Sequence, residues 1–323
     1  MDPLSDVLRA VRLDGAFFYL VEGMHPWSVH SGPAVELTPR VLPGTEHLIS
    51  YHIVTEGHCW GGLIGEPQVP LEEGDAILFP HGDPHFVSSA EGGRVESGVH
   101  TARPDRYLDT VYMGDGPGRR TSFVCGFLGW DLHPFNPLLS ALPRMMHVKR
   151  VGAEWMAMFP RYVVAESRRE RAGGATVLTR MAELMFVEVL RRHMEAASGP
   201  GSGWFAALRD PVVGAALSQL HASPARAWTL ADLARGANTS CTVLAERFST
   251  LVGLAPMQYL AKWRLQLAAE QLRSSSDKVA AIGARVGYES EAAFSRAFKR
   301  ETGESPAAWR RRSAEGGAAP VAR

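Results

Sequence analysis

The apolar positions of this chain change spacing twice, and the changes divide it into three textures. Asp2 and Pro3 form a helix-starting pair, after which Leu4, Val7, Leu8 and Val11 recur at helical spacing, so a short amphipathic helix opens the chain. From Phe17 to Phe127 the texture becomes short β-rich runs, FFYLV, HLISYHIV, DAILF, YLDTVYM and SFVCGFLG, broken by Gly, Pro and Asp clusters. That punctuation predicts an antiparallel barrel or sandwich. After Pro137 the spacing turns helical again, through NPLLSALPRMMHV and WMAMF to a long segment from Ala175 to Ala197. There Leu178, Met181, Met185 and Val189 make one apolar stripe, widened by Phe186 and Leu190. Such a stripe serves either a helix packed on its own barrel or a helix paired with that of a second copy. SGPGSG, Ser198 to Gly203, has the composition of a hinge, and Asp210 with Pro211 starts the next helix.

The last third repeats itself. Sliding the sequence by 50 positions sets Ala234 on Ala284, Ser240 on Ser290, Leu244 on Phe294, Phe248 on Phe298, Gly253 on Gly303, Pro256 on Pro306 and Tyr259 on Trp309. Each copy carries the parts of a helix-turn-helix. In the first, Thr229 and Asp232 form a capping box, Asn238 takes the left-handed turn position, and Ser240 caps a helix to about Thr250. In the second, Asp277 is the expected cap of KVAAIGARV, Gly287 makes the turn and Ser290 caps EAAFSRAFKRET. One long helix, Pro256 to about Arg273, joins them. The fold class expected is therefore α+β in two domains: a β-barrel with flanking helices, then an all-α double helix-turn-helix.

Charge separates the same two halves. Lys plus Arg and Asp plus Glu balance at 34 each, but Ala225 to Arg312 holds 14 cations against 8 anions and Met1 to Pro224 holds 19 against 25. On the second reading-type helix Phe294 and Phe298 face inward, leaving Ser295, Arg296, Lys299 and Arg300 on the outer faces. A helix of that width fits a major groove, with its N-terminal residues at base edges and later cations, including Arg310, Arg311 and Arg312, at phosphates. An ordinary solvated helix face is the competing reading; the doubled unit and the basic balance weigh against it. Three scattered cysteines, Cys59, Cys125 and Cys241, exclude a disulfide framework and fit a reducing cytoplasm. The N-terminus lacks the cations of a secretory signal, and no apolar run reaches the ~20 residues of a membrane span.

From about Trp228 to Arg312, and above all in VGYESEAAFSRAFKRETGESPAAWRR, the chain resembles the DNA-binding domain of the AraC/XylS family of bacterial transcription regulators. The resemblance implies sequence-specific binding of double-stranded promoter DNA by two helix-turn-helix units, usually as a homodimer, with RNA polymerase as a further partner. It places the contacts on Ser290, Glu291, Ala292, Ser295, Arg296, Lys299 and Arg300 in the second unit and Ser240, Thr242 and Arg247 in the first. The first unit departs from the family's wording: Asn238 stands for a turn Gly, Cys241 for a common Arg, and Glu246 for a common cation. Its grip on DNA should be weaker or differently specific. Domain bounds follow: 1–200 sensing, with a barrel at about 15–135 and a helical, dimerisation-type segment at 136–200; 201–209 linker; 210–312 DNA-binding; 313–323 disordered tail.

GDAILFPHGDPH places Gly74, Pro80, Gly82 and His85 in the spacing of a second cupin motif, and the flanking segments resemble the cupin-type sensors joined to such regulators. A small-molecule effector in the barrel is implied, with His85, His52, Trp60 and His81 as its candidate contacts. The first cupin motif is degenerate: YHIVTEGHCW offers His52, Glu56 and His58 without the spaced set that holds a divalent ion. No metal or other cofactor is expected. His47, His52, His81, His85 and Cys125 are read as core or pocket groups before they are read as ligands of a metal, and Cys59 with Cys125 as a redox pair is a side reading. The alternative function is a metal-dependent cupin oxygenase or isomerase with a DNA-binding tail.

Overall fold

The computed structural model describes residues 2–10, 13–43, 45, 47–92, 109–130, 134–149, 154–167, 171–196 and 203–316. The chain divides into two compact units. One comprises Leu13–Asp131 and Pro143–Ala197; the other comprises Met1–Arg12, Leu132–Leu142 and Ser198–Arg323. Among its described residues the first unit carries ten strands: Leu13–Met24 (β1), Ser28–Ser31 (β2), His47–Glu56 (β3), His58–Leu63 (β4), Val69–Glu72 (β5), Ala76–Phe79 (β6), His85–Ser88 (β7), Thr110–Met113 (β8), Arg120–Trp130 (β9) and Met146–Val148 (β10). They form a six-stranded sheet in the order β10-β6-β3-β9-β1-β8 and a four-stranded sheet in the order β2-β7-β4-β5. The expected barrel is thus corrected to two open sheets among the described residues. Every outer strand is three or four residues long.

Alternation explains the core. Phe17, Tyr19 and Val21 of β1, Phe123, Cys125 and Phe127 of β9, and Ile77 and Phe79 of β6 share one cluster with Cys59, Leu63, Leu71 and Val87 from the smaller sheet. The intervening residues are buried too, which is why FFYLV reads as an unbroken apolar run. Helices Glu154–Ser167 (α4) and Gly174–Ala196 (α5) cover that second face. Phe18 meets Phe159 edge-on at 5.9 Å between ring centroids, and Trp130 meets Phe186 at 5.5 Å. The predicted stripe of α5 is buried at Leu178, Met185, Phe186, Val189 and Leu190, so the helix packs on its own sheet, while Val177 and Leu184 stay 43% and 58% exposed.

The second unit is helical: Pro3–Ala10 (α1), Pro137–Ala141 (α3), Trp204–Arg209 (α6), Pro211–Ala222 (α7), Leu230–Gly236 (α8), Cys241–Val252 (α9), Pro256–Ser274 (α10), Val279–Arg285 (α11), Glu291–Thr302 (α12) and Pro306–Gly316 (α13). The remaining helix, Ala34–Val41 (α2), belongs to the sheet unit. Two expectations change here. Residues 204–209 are helix rather than linker, with Trp204, Phe205 and Ala207 buried. Residues 313–316 complete α13, and 317–323 of the expected tail, like 198–202 of the hinge, lie outside the described residues. By packing, α1 and α3 also go with the C-terminal helices although they lie inside the 1–200 stretch. Gln266 of α10 is fully buried between them: its Nε2 donates to the Ala10 carbonyl at 3.1 Å, and its Oε1 accepts from the Phe135 N–H at 3.2 Å.

Candidate functional site

The two helix-turn-helix units, α8–α9 and α11–α12, are built as the caps dictate. The Thr229–Asp232 capping box closes reciprocally, and Ser240 and Ser290 each accept from the third N–H of the helix that follows, Val243 and Ala293. Asp277 does not cap α11; it pairs with Arg285 at 2.8 Å, and Lys278 precedes the helix without a side-chain cap. The reading helices repeat at 50 residues, but their supporting helices repeat at 49. Leu233 corresponds to Ile282, both fully buried, and Asn238 at φ 51 corresponds to Gly287 at φ 95. The Thr239 N–H bonds the Ala234 carbonyl as the Tyr288 N–H bonds that of Gly283. The superposition of Ala234 on Ala284 is therefore one residue out, and the second turn is longer by one residue. Beyond the turn the 50-residue register holds: Phe248 packs edge-on to Tyr259 at 5.8 Å and Phe298 to Trp309 at 5.6 Å.

With Leu244, Phe248, Phe294 and Phe298 buried, the opposite faces are set. On α12, Glu291, Ala292, Arg296, Lys299 and Arg300 are exposed and Ser295 is half-buried. None of the three cations has an ion-pair partner among the described residues. On α9, Cys241, Thr242, Val243, Glu246, Arg247, Ser249 and Thr250 are exposed. Arg247, expected at DNA, is paired with Asp210, whose carboxylate also accepts from Val212 and Val213 N–H to cap α7. The hydroxyls of Ser240 and Ser290 are occupied as caps. Of the three terminal arginines, Arg310 turns inward, its guanidinium bonding the Leu272 and Asp277 carbonyls at 3.3 and 2.5 Å. Arg312 lies over the Trp309 ring and pairs with Glu304 at 2.9 Å. Arg311 is exposed.

In the sheet unit the structure brings together His52, His85 and Cys125 and leaves the other candidates elsewhere. His52 Nδ1 lies 2.8 Å from Cys125 Sγ, its Nε2 lies 3.0 Å from His85 Nε2, and His85 Nδ1 lies 2.9 Å from the Asp83 carbonyl. All three side chains are buried, and burial pushes both imidazoles down, His85 to about 4, so each is neutral. Neutrality fixes the direction of every bond. Asp83 can only accept, so His85 donates from Nδ1 and accepts at Nε2; His52 then donates from Nε2 and accepts at Nδ1; Cys125 donates its thiol proton to His52. Tyr19, directly opposite Cys125 in the β1–β9 register, hydrogen-bonds the thiol from the other side. Burial pushes the Cys125 thiol up and that of Cys59 up to about 12. Both thiols are free and protonated in one core.

This seam is a run of satisfied neutral groups. Cys125 and His85 sit on opposite nitrogens of His52, and the described residues contain no group of three His, Cys, Asp or Glu side chains that could hold a metal ion. His81 is half-buried and lies beside His47, whose Nε2 bonds the Pro80 carbonyl at 2.7 Å. Trp60 faces away: on β4 the inward positions are Cys59, Gly61 and Leu63, so the alternating Trp60 belongs to the opposite surface. Tyr19 was missed among the site residues, although alternation through FFYLV turns its hydroxyl inward, where a buried O–H requires a partner.

The comparisons agree with both halves. Residues 2–195 match the family model described as Cupin, and residues 233–312 match the one described as Helix-turn-helix domain. A Putative AraC-like transcription regulator of Streptomyces lividans is 34% identical over 96% of this chain and 98% of its own length. The HTH-type transcriptional regulator AlkR of Acinetobacter baylyi is 29% identical over 97% and 100%. Among solved structures, the DNA-binding domain of AdpA in complex with a target DNA is similar at 30% identity and a TM-score of 0.30, over 32% of this chain and 91% of that one.

Proposed function

The chain belongs to the AraC-like transcription regulators, and from that premise we propose that it grips a promoter duplex through α9 and α12 while a small molecule in the sheet unit modulates the grip. One observation carries the reading: a duplicated helix-turn-helix whose second reading helix offers Arg296, Lys299 and Arg300, exposed and without ion-pair partners, beside a buried Phe294–Phe298 spine. Cations so placed neutralise phosphates and hold register, whatever the bases. The seam of His52, His85 and Cys125 is the polar handle we assign to the effector. Its groups already satisfy one another, so an effector has to replace their mutual hydrogen bonds with its own, and it shifts DNA affinity only as far as it favours one arrangement of the protein over another.

The alternative of a metal-dependent cupin enzyme loses to the relatives, which are named as regulators along nearly their whole length. A homodimer, contact with RNA polymerase and a cytoplasmic location complete the proposal. For the dimer, the support is α5, which keeps Val177 and Leu184 exposed seven residues apart on one side of the helix.

A mobility-shift titration against genomic fragments tests the reading. Specific retardation is expected, and R296A, K299A and R300A should each weaken binding to all sequences alike and lower the log–log salt slope by about 1. Folded protein that retards no fragment at low salt would overturn the function. Slopes unchanged in all three variants would overturn the docking face.

A further inference from the structure

The 50-residue register between the reading helices exposes a difference in chemistry. Where α12 carries Arg296, Lys299 and Arg300, α9 carries Glu246, Ser249 and Thr250. All six are exposed and the helices have the same length, caps and buried spine, so the contrast lies in what the two faces offer a duplex and not in how they are held. The one cation on α9, Arg247, is paired with Asp210, whose own side chain is nearly buried and tied to the start of α7. The outward face of α9 therefore bears one carboxylate and no free cation.

A carboxylate facing DNA is repelled by phosphates, and its favourable partner on a base edge is the N4 amino group of cytosine. Beside it, three residues earlier and so one helical turn away on the neighbouring row, stands Val243, a branched apolar side chain left 40% exposed. Exposed valine at the first turn of a reading helix matches the one apolar feature of the major groove, the thymine methyl group. Thr242 completes the face with a hydroxyl that bonds either kind of base edge.

Resting on the regulator reading above, we infer that α9 reads bases without clamping the backbone: Glu246 accepts from a cytosine N4 amino group and Val243 packs on an adjacent thymine methyl, while α12 supplies the phosphate grip. The two reading helices thus divide the work. Affinity and salt dependence reside in the second unit, and base choice in the first. Glu246 also acts by exclusion, since a duplex lacking the cytosine leaves its charge against phosphates with nothing to accept from.

The test uses the full-length chain. A duplex selected from a random-sequence pool defines the preferred site, and the α9 half is located by repeating the selection with E246A and V243A. The wild type should prefer cytosine at one position by at least about fivefold. E246A should abolish that preference and, with a repulsive charge gone, tighten binding to a mixed-sequence duplex by about threefold at low salt. Replacing the neighbouring thymine by deoxyuridine removes only the methyl and should weaken the wild type about fourfold, while V243A should not register the replacement. Alanine is a good helix former, so both variants keep α9, and an unchanged salt slope checks that α12 still docks. A wild type that selects no sequence overturns the regulator reading itself. A wild type that selects a sequence in which both variants recover the same base preferences, with no gain on mixed-sequence DNA in E246A, overturns the assignment of α9 alone.

Discussion

A buried imidazole that must stay neutral makes stability depend on pH, and this chain has such groups in both units. Burial pushes His221 down to about 3 and His85 down to about 4, and lowers His52. The unfolded chain takes up these protons below about pH 6.5, whereas the folded chain refuses them until pH approaches the lowered values. The folded state therefore binds fewer protons across that window, and its stability falls as pH falls. Each fully buried histidine should cost on the order of 2 kcal/mol at about pH 5 relative to neutral pH. Urea titrations at about pH 7.5 and about pH 5 measure the loss, and H85Q should remove close to one proton from the pH slope. Stability that is flat over this interval would mean that the seam carries charge already, and that the bond directions assigned to it are wrong. None of this was visible in the sequence beyond the list of histidines. GDAILFPHGDPH marked His85 as inward, but which nitrogen faces which neighbour depends on the β3–β9 register that sets His52 opposite Cys125.

At the scale of elements, the turns of the two helix-turn-helix units demand the same left-handed conformation and meet it with different residues. Gly287 has φ 95, and a Cβ there would meet the Ala225 carbonyl oxygen at 2.7 Å. G287A should destabilise the second unit by about 2 kcal/mol or more, read as a lowered midpoint in thermal melts and weakened DNA binding. Asn238 has φ 51, within the left-handed region, and N238G should leave stability within about 1 kcal/mol of the native value. Equal effects at the two sites would show that the turns are not equivalents. Caps and turns of this kind were legible because each uses a residue type for a stated reason. The one-residue offset was not, since Glu289 adds length to the second turn without disturbing the apolar spacing of either flanking helix. Closure of the β half was equally hidden: alternation shows which side of a strand is buried and says nothing of where its edges pair. WFAALR holds a readable signal, two aromatics in the stretch expected as linker, and its burial against the C-terminal helices makes it part of that unit.

Across the whole molecule, the chain passes between the units more than once, at the ends of strands that pair with each other. β1 begins at Leu13, just after the α1 segment; β9 ends at Trp130, just before the 132–142 segment; Leu13 and Trp130 are partners in the same sheet. Both segments then settle on one buried side chain, Gln266 of α10, the helix shared by both helix-turn-helix units. Tyr19 and Cys125, which end the polar seam, face each other along the same strand pair. Within the helical unit, Gln266 is where the segment that precedes β1 and the segment that follows β9 are both held. Replacing it with leucine keeps the volume but leaves the Ala10 carbonyl and the Phe135 N–H without partners, each at a cost of about 1–3 kcal/mol. Q266L should therefore lower the stability of the helical unit by about 2–4 kcal/mol and speed hydrogen exchange at the Phe135 amide. Linkage requires that an effector change DNA affinity by the same factor that DNA changes effector affinity. In the milder variant Q266E, which keeps one acceptor for Phe135 and loses the donor to Ala10, both factors should shrink together while the salt slope set by α12 stays as it was. Equal coupling in Q266E and the native chain, measured from both ligands, would remove Gln266 from the path and leave its role purely structural.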